Sequence, residues 1–175
     1  MDISSDDQTF DAIIPNHTNE TSEPAAVMPS NEAGIRALTI AALDHVLIHE
    51  LTAGEACRRA SLLFDKTQVA TLLRGVMEGH QHRAIVLRDA ILARHGIPTE
   101  IREQGDLATP LPAATRPLLT MLLDVEKRGV ADYRQALRQL DGLTRTQIEA
   151  ELLPAQESAL ATLSGAQPPS PDGAV

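Results

Sequence analysis

Residues 67–98 read TQVATLLRGVMEGHQHRAIVLRDAILARHGIP, and this stretch decides the fold. Its apolar residues recur every three or four positions, which is typical of an α-helix with one buried face. That face consists of Val69, Leu72, Leu73, Val76, Met77, Ala84, Leu87 and Ile91. His80 lies at its centre. An ionisable ring in a helical core is either held by hydrogen bonds or bound to a ligand, so His80 is the first candidate functional residue.

The composition favours an all-α fold. The chain has 175 residues, enough for one domain with a substantial core. Apolar residues make up 43% of the chain but aromatic residues only 2%, so the core is built from Leu, Ile, Val and Ala. Leu and Ala favour helices, whereas strands are richer in aromatic and β-branched residues.

The single cysteine, Cys57, excludes an internal disulfide framework and fits a reducing compartment. The sequence shows no basic-then-apolar leader, and no apolar run approaches roughly 18 residues. We therefore expect a cytoplasmic protein that does not span a membrane.

The net charge of −9 is concentrated near the N-terminus. Residues 1–30 hold six acidic residues and no Lys or Arg, so they contribute −6. The rest of the chain is mixed in charge. Without a basic face, and with few aromatic rings to stack on bases, the sequence predicts no nucleic-acid binding.

The sequence divides into three parts. Residues 1–31 are predicted to be a disordered acidic tail, residues 32–164 a four-helix bundle, and residues 165–175 a disordered Pro-rich tail. The apolar residues 10–15 (FDAIIP) interrupt the first tail and are a candidate docking peptide for a protein partner. The alternative is that this apolar island is incidental.

The first predicted helix covers residues 32–61, and its apolar stripe begins with Ile35 and Leu38. Asp65 and Gln68 have the spacing of an N-cap and N3 pair, so the second helix is expected to begin there. The short connection makes the two helices antiparallel neighbours.

The second helix is expected to end at Gly96, as a left-handed cap. From residue 97 to about 116, prolines are frequent and apolar periodicity is weak. At about 3.3 Å per residue this segment reaches roughly 60 Å, whereas a helix of about 28 residues is only about 42 Å long. The sequence therefore predicts a long crossover between helices two and three.

The third helix is predicted over residues 116–140. Thr144 and Gln147 form a second capping box, and the fourth helix is expected to run from there to residue 164. Pro154 lies inside this helix and is expected to kink it, because proline removes one backbone hydrogen bond.

Four polar residues, one from each helix, are predicted to lie at one level and form a buried polar layer. Glu50 lies about 14 residues before the first turn and His80 about 16 after it, so equal rise per residue places them at one height. Glu126 and Gln156 lie about 15 residues before and about 14 after the second turn.

Two further residues receive structural roles. The same counting brings Tyr133 level with Glu149, which predicts a buried hydrogen bond between them. Cys57 has no activating base nearby in the sequence and is expected to pack as a small apolar residue.

The order of short hairpin, long crossover and short hairpin, with inward Glu on helices one and three and inward His on helix two, resembles the ferritin-like superfamily. The sequence is most similar to a bacterial ferritin-like family of unknown function. The residues that carry the resemblance are 43–47 (LDHVL), 55–56 (EA), 73–87, 125–129 (VEKRG) and 131–137 (ADYRQAL).

The resemblance implies a di-iron ligand set that can be checked against this chain. Di-iron members take one Glu from each of two helices and a Glu-x-x-His pair from each of the other two. Glu50 and Glu126 match the single glutamates, and His80 matches one histidine. The remaining ligand positions hold Met77, Leu153 and Gln156.

Three functions stay open. The first is a non-catalytic, self-associating ferritin-like protein without a cofactor, whose Glu/His layer is degenerate and structural. The second is a metal-binding protein, possibly oxidoreductase-like in chemistry, with a mononuclear iron or manganese site formed by Glu50, His80 and Glu126. The third is an adaptor that contacts a partner through residues 10–15.

Overall fold

The computed structural model describes residues 31–64, 67–100 and 110–166, and within these ranges every regular element is helical. The elements are α1 (Asn31–Leu63), α2 (Gln68–Leu92), α3 (Thr115–Ala136), α4 (Gly142–Gln147) and α5 (Leu153–Gly165), with a π-helical turn over Ile148–Leu152 between the last two. The all-α prediction is confirmed for these ranges. The predicted tails, with the candidate docking peptide 10–15, lie almost entirely outside them.

The described residues form four helical rods, the last made of α4, the π-helical turn and α5. The rods pack around two apolar clusters, and each cluster takes side chains from all four. One cluster is centred on Leu43, Leu87, Tyr133 and Leu152. The other is centred on Cys57, Leu73, Leu119, Leu122 and Leu163. The predicted polar residues occupy the level between the clusters.

Neighbouring rods run antiparallel. Gly54 of α1 lies beside His80 of α2, while Ile40, earlier in α1, lies beside Gly96, which follows α2. The same reversal relates α1 to α3: Thr39 Oγ1 donates a hydrogen bond to the carbonyl of Gln139, just after α3, whereas His49, later in α1, has its Nδ1 3.4 Å from Oδ2 of Asp132, earlier in the chain. None of the helices in the described ranges is long and apolar enough to cross a membrane.

The ends of α2 differ from the predicted ones. Its N-cap is Thr67, whose side chain accepts a hydrogen bond from the Ala70 N–H at 3.1 Å. The predicted cap, Asp65, lies outside the described residues. At the other end the left-handed residue is His95, with a φ of 58°, and the prediction for Gly96 is wrong. Gly96 is needed for space, because a Cβ there would lie 2.9 Å from Ile40 Cγ2.

The turn after α3 is also placed differently. α3 ends at Ala136, four residues before the predicted end at Leu140, and the next helix begins at Gly142. Its cap is Asp141 and not Thr144: the Asp141 carboxylate accepts hydrogen bonds from the Thr144 N–H at 2.9 Å and the Thr144 hydroxyl at 2.7 Å. The Asp141 carboxylate accepts both hydrogen bonds and carries a negative charge at the start of the helix, so it caps the helix better than the Thr144 hydroxyl, which is a donor here.

Pro154 was predicted to kink the fourth helix, and the structure has a π-helical turn, Ile148–Leu152, shortly before it. The Leu153 N–H donates to the carbonyl of Ile148, five residues earlier. Proline has no N–H, so an ordinary helix would leave one carbonyl unpaired here. The wider turn also keeps residues that are four apart on the same side of the rod. Ile148, Leu152 and Gln156 have this spacing, and all three are buried.

The start of α1 is less buried than its apolar pattern predicts. Ile35 and Leu38 were expected to face the core, but they are 44% and 57% exposed. Periodicity identifies an apolar face of a helix, but it does not show where the neighbouring helices end.

Candidate functional site

The four polar residues predicted to share one level do meet in the structure. Glu50, His80, Glu126 and Gln156 are all at most 1% exposed. His80 Nδ1 lies 2.6 Å from Glu50 Oε2, and His80 Nε2 lies 2.9 Å from Glu126 Oε1. Gln156 Nε2 donates to Glu126 Oε2 at 2.7 Å. The predicted polar layer is therefore confirmed as an arrangement of side chains, and its function as a metal site stays a prediction.

Two glycines allow the helices to approach at this level. A Cβ on Gly54 would lie 3.2 Å from His80 Cβ, tighter than ordinary contact. A Cβ on Gly129 would lie 2.5 Å from Gln156 Nε2 and closer still to His49 Nε2. The side chains of His49 and Gln156 thus pack directly on the backbone of α3.

His80 carries a proton on both ring nitrogens. Each nitrogen faces a carboxyl oxygen at hydrogen-bond distance, and an ionised carboxylate only accepts, so with both glutamates ionised each contact takes an N–H from the ring. Burial alone lowers the pKa of His80, but hydrogen bonds with Cys57, Glu126 and Glu50 outweigh it and raise the pKa to about 11. The ring is therefore an imidazolium within the protein core.

Glu50 is held by two further donors. Arg83 Nε donates to Glu50 Oε1 at 3.0 Å, and the Tyr133 hydroxyl donates to the same oxygen at 2.8 Å. The predicted partner of Tyr133, Glu149, is exposed to solvent, so that prediction is wrong. Burial raises the pKa of Glu50, but the hydrogen bond with His80 and the charge of Arg83 lower it overall. Burial, together with the nearby Glu50 charge, raises the pKa of Tyr133.

Arg83 is the main residue that the sequence analysis missed. It is buried, and one of its terminal nitrogens lies 2.9 Å from His80 Nδ1. Both atoms are donors when His80 is protonated, so they do not form a hydrogen bond with each other. The guanidinium is held in place by the hydrogen bond that Arg83 Nε donates to Glu50. The sequence does contain one indication of this position: Arg83 lies three residues after His80, about one helical turn further along the same side of α2.

Cys57 packs in the core, as predicted, and it also lies beside the polar layer. It is fully buried, as expected. Its Sγ, a ring nitrogen of His80 and a carboxylate oxygen of Glu126 all lie within 4.8 Å of one another. Burial raises the pKa of the Cys57 thiol. The sequence analysis did not include Cys57 in the layer, because Cys57 lies seven residues after Glu50, about two helical turns away.

A second histidine lies beside the polar layer. His49 Nδ1 is 3.4 Å from Asp132 Oδ2, and burial lowers the pKa of His49. Among the described residues, two buried side-chain atoms have no hydrogen-bond partner: His49 Nε2 and Gln156 Oε1. His49 also lines a cavity of about 500 Å³ between α1 and α3, together with Arg59, Arg128 and apolar side chains.

A comparison of the chain with protein-family models, with curated proteins and with solved structures finds no match. The function is therefore inferred from the site itself.

Proposed function

We propose that the protein is a ferritin-like four-helix bundle with a long crossover between α2 and α3. Helix directions support this topology. Because α1 runs antiparallel to both α2 and α3, these two run parallel, and the chain joining them has to travel the length of the rods. The other two connections are short, as in ferritin-like topology. Residues 101–109 of the joining segment lie outside the described residues.

The protein's polar layer has a structural, non-catalytic function in this proposal. One observation carries it: each ring nitrogen of His80 is taken by a carboxylate, and Arg83 supplies the second positive charge. Two cations and two carboxylates thus balance inside the core. Buried charges are stable only when paired and hydrogen-bonded in this way.

The residues present do not fit a di-iron centre. Two irons need bridging carboxylates and terminal nitrogens from all four helices. Met77 and Leu153 occupy two of the required positions and offer neither a carboxylate nor an imidazole. Gln156 at the third position uses its amide nitrogen to hold Glu126.

The alternative function, a mononuclear iron or manganese site formed by Glu50, His80 and Glu126, requires a rearrangement of the layer. The two nitrogens of an imidazole point in different directions, and here each faces one carboxylate. A single ion can reach Glu50 or Glu126 beside the ring. An ion bound to one ring nitrogen is coordinated by both glutamates only if one of their side chains moves to the other edge of the ring.

We also propose that the protein self-associates through one end of the bundle, defined here as the apolar end. This end is formed by the start of α1, the end of α2 and the turn before α4. An ion pair between Arg94 and Asp141, at 2.8 Å, joins the end of α2 to that turn. Five large apolar side chains there are between 44% and 92% exposed: Ile35, Leu38, Leu92, Ile97 and Leu143. Exposed apolar side chains concentrated in one region mark interaction surfaces.

The structural function is tested by unfolding metal-free protein in urea. We expect His80→Ala to lower the free energy of unfolding by about 3–5 kcal/mol, because it leaves two buried carboxylates without their shared cation. The milder Glu126→Gln keeps the shape of the side chain and is expected to cost about 1–3 kcal/mol.

His82→Ala is the matched control, since His82 is exposed on the same helix and its loss should change stability by less than about 0.5 kcal/mol. A metal-free wild-type protein that is unfolded would contradict the proposal. So would variants of His80 and Glu126 that are as stable as the wild type.

A further inference from the structure

We propose that the Cys57 side of the polar layer is a binding site for a thiophilic divalent cation of the zinc type. Its ligands are Cys57 Sγ, His80 Nε2 and a carboxylate oxygen of Glu126. The inference goes beyond the structural function, which concerns the protein without a metal ion.

The donor atoms are close to the spacing that such an ion needs. All three residues are fully buried, and their donor atoms lie within 4.8 Å of one another. In a tetrahedral zinc site, with bonds of about 2.0–2.3 Å, donor atoms are roughly 3.3–3.8 Å apart. His80 Nε2 and Glu126 Oε1 are 2.9 Å apart, somewhat closer than this range, so small side-chain shifts that separate these two atoms are needed to complete the geometry.

Gln156 offers a fourth oxygen. Its side chain is fully buried, and its Oε1 has no hydrogen-bond partner. Its Nε2 lies 2.7 Å from Glu126 Oε2, which places the amide next to the proposed ligands. A buried amide oxygen without a partner is costly, and coordination of a cation would satisfy it.

Glu50 acts behind the ligands in this site. It accepts the hydrogen bond from Nδ1, the ring nitrogen opposite the proposed ion, at 2.6 Å. Metal-binding histidines commonly donate their second N–H to a carboxylate, which fixes the ring and strengthens the ligand. Arg83 and Tyr133 hold that carboxylate in turn.

Charge balance is the same with and without the ion. Without it, the cations His80 and Arg83 neutralise Glu50 and Glu126. When a divalent ion binds, the Cys57 thiol and His80 Nε2 each release one proton. The ion is then neutralised by the thiolate and Glu126, while Arg83 neutralises Glu50. The thiolate and imidazole ligands favour zinc or cobalt, whereas manganese prefers oxygen ligands.

Co²⁺ is the probe for this site, because thiolate coordination gives it a characteristic charge-transfer absorption. The full chain is purified without an affinity tag, reduced, stripped of metal, and refolded with excess Co²⁺ so that the ion can reach the core. We expect one Co²⁺ per chain with thiolate absorption. Cys57→Ser should abolish that absorption and weaken binding at least tenfold.

His82→Ala is the control, because it removes an exposed imidazole from the same helix, and it should bind Co²⁺ like the wild type. Absence of stoichiometric Co²⁺ after refolding would overturn the inference, as would binding that survives Cys57→Ser or is lost in His82→Ala. The structural function is judged separately, by the stability of metal-free variants, so either proposal can fail without the other.

Discussion

His80 shows how a charged ring can lie in an apolar core. Each of its nitrogens faces a carboxylate, and each carboxylate has a further donor: Arg83 and Tyr133 on Glu50, and Gln156 on Glu126. Removing any single member leaves a charge or a polar atom without its partner inside the core. This dependence makes the layer sensitive to small changes in the side chains that enclose it.

Gly129 provides a residue-scale test of that sensitivity. A Cβ at this position would overlap the ends of the His49 and Gln156 side chains, both of which are largely enclosed. We expect Gly129→Ala to lower the free energy of unfolding by about 1–3 kcal/mol, because overpacking outweighs the better helix propensity of alanine. Urea unfolding followed by circular dichroism measures the change.

Gly75→Ala is the matched control on α2, since a Cβ there meets nothing within 4 Å. In an exposed helix interior this substitution should raise the free energy of unfolding by roughly 0.5–1 kcal/mol. Equal effects of the two substitutions would mean that helix propensity alone matters and that space at Gly129 does not.

At the scale of elements, Asp141 links three helices. It caps α4 through the Thr144 N–H, and its carboxylate accepts hydrogen bonds from Arg94, beyond the end of α2, at 2.8–3.1 Å. Thr39 of α1 accepts a hydrogen bond from the Asp141 N–H. Burial raises the pKa of Asp141, but hydrogen bonds from Thr144 and Arg94 outweigh it, so the pKa is lowered.

The lowered pKa predicts how stability depends on pH. A carboxyl group with a lower pKa in the folded state stabilises the protein above its unfolded pKa, near 3.9, and this stabilisation is lost as the pH falls through the folded value. Asp141→Asn keeps a capping oxygen but removes the charge. We expect the wild type to be more stable than this variant at pH 6 and the difference to shrink steadily as the pH falls below about 3.9.

Asp124→Asn serves as the comparison, because Asp124 is exposed and its carboxylate forms an ion pair with the exposed Lys127. Its effect on the free energy of unfolding should stay within about 0.5 kcal/mol at either pH. A difference for Asp141→Asn that persists unchanged at low pH would show that the lost charge is not its cause.

The elements also show which local patterns in the sequence can be trusted. Apolar periodicity located all four rods, because burial of one face is a property of many residues together. Single-residue signals were less reliable. Thr144 and Asp141 both have capping chemistry, and the structure decides for Asp141, whose carboxylate accepts hydrogen bonds from both the N–H and the hydroxyl of Thr144. After α2, glycine was predicted at position 96 for its backbone conformation, but the structure needs it for space beside Ile40.

For the molecule as a whole, the meeting of the four polar residues could be predicted because helix rise is constant and both turns are short. The partners of Tyr133 and Arg83 could not. Counting along helices gives heights, but the direction in which a side chain points depends on how each rod is rotated. Long charged side chains are expected in solvent, so a buried Arg83 is recognised only once the carboxylate of Glu50 is placed beside it.

Assembly is the remaining property at this scale. The apolar end carries five exposed apolar side chains, and two copies joined through the same surface would bury them in a symmetric dimer. We expect light scattering after size-exclusion chromatography to show a dimer whose population rises with concentration. Replacing Leu38 and Leu92 by Glu should raise its dissociation constant at least about tenfold, because two buried leucines contribute more than 1.4 kcal/mol.

Leu62 and Leu63, near the end of α1 at the other end of the bundle, provide the matched control, because they are 66% and 52% exposed. Replacing both by Glu adds the same charge at the opposite end of the bundle but leaves the apolar end intact, so the dimer should persist. If this control dissociates the dimer and the Leu38/Leu92 variant does not, the interface lies at the opposite end. A wild-type protein that is monomeric at every concentration would exclude self-association through either surface.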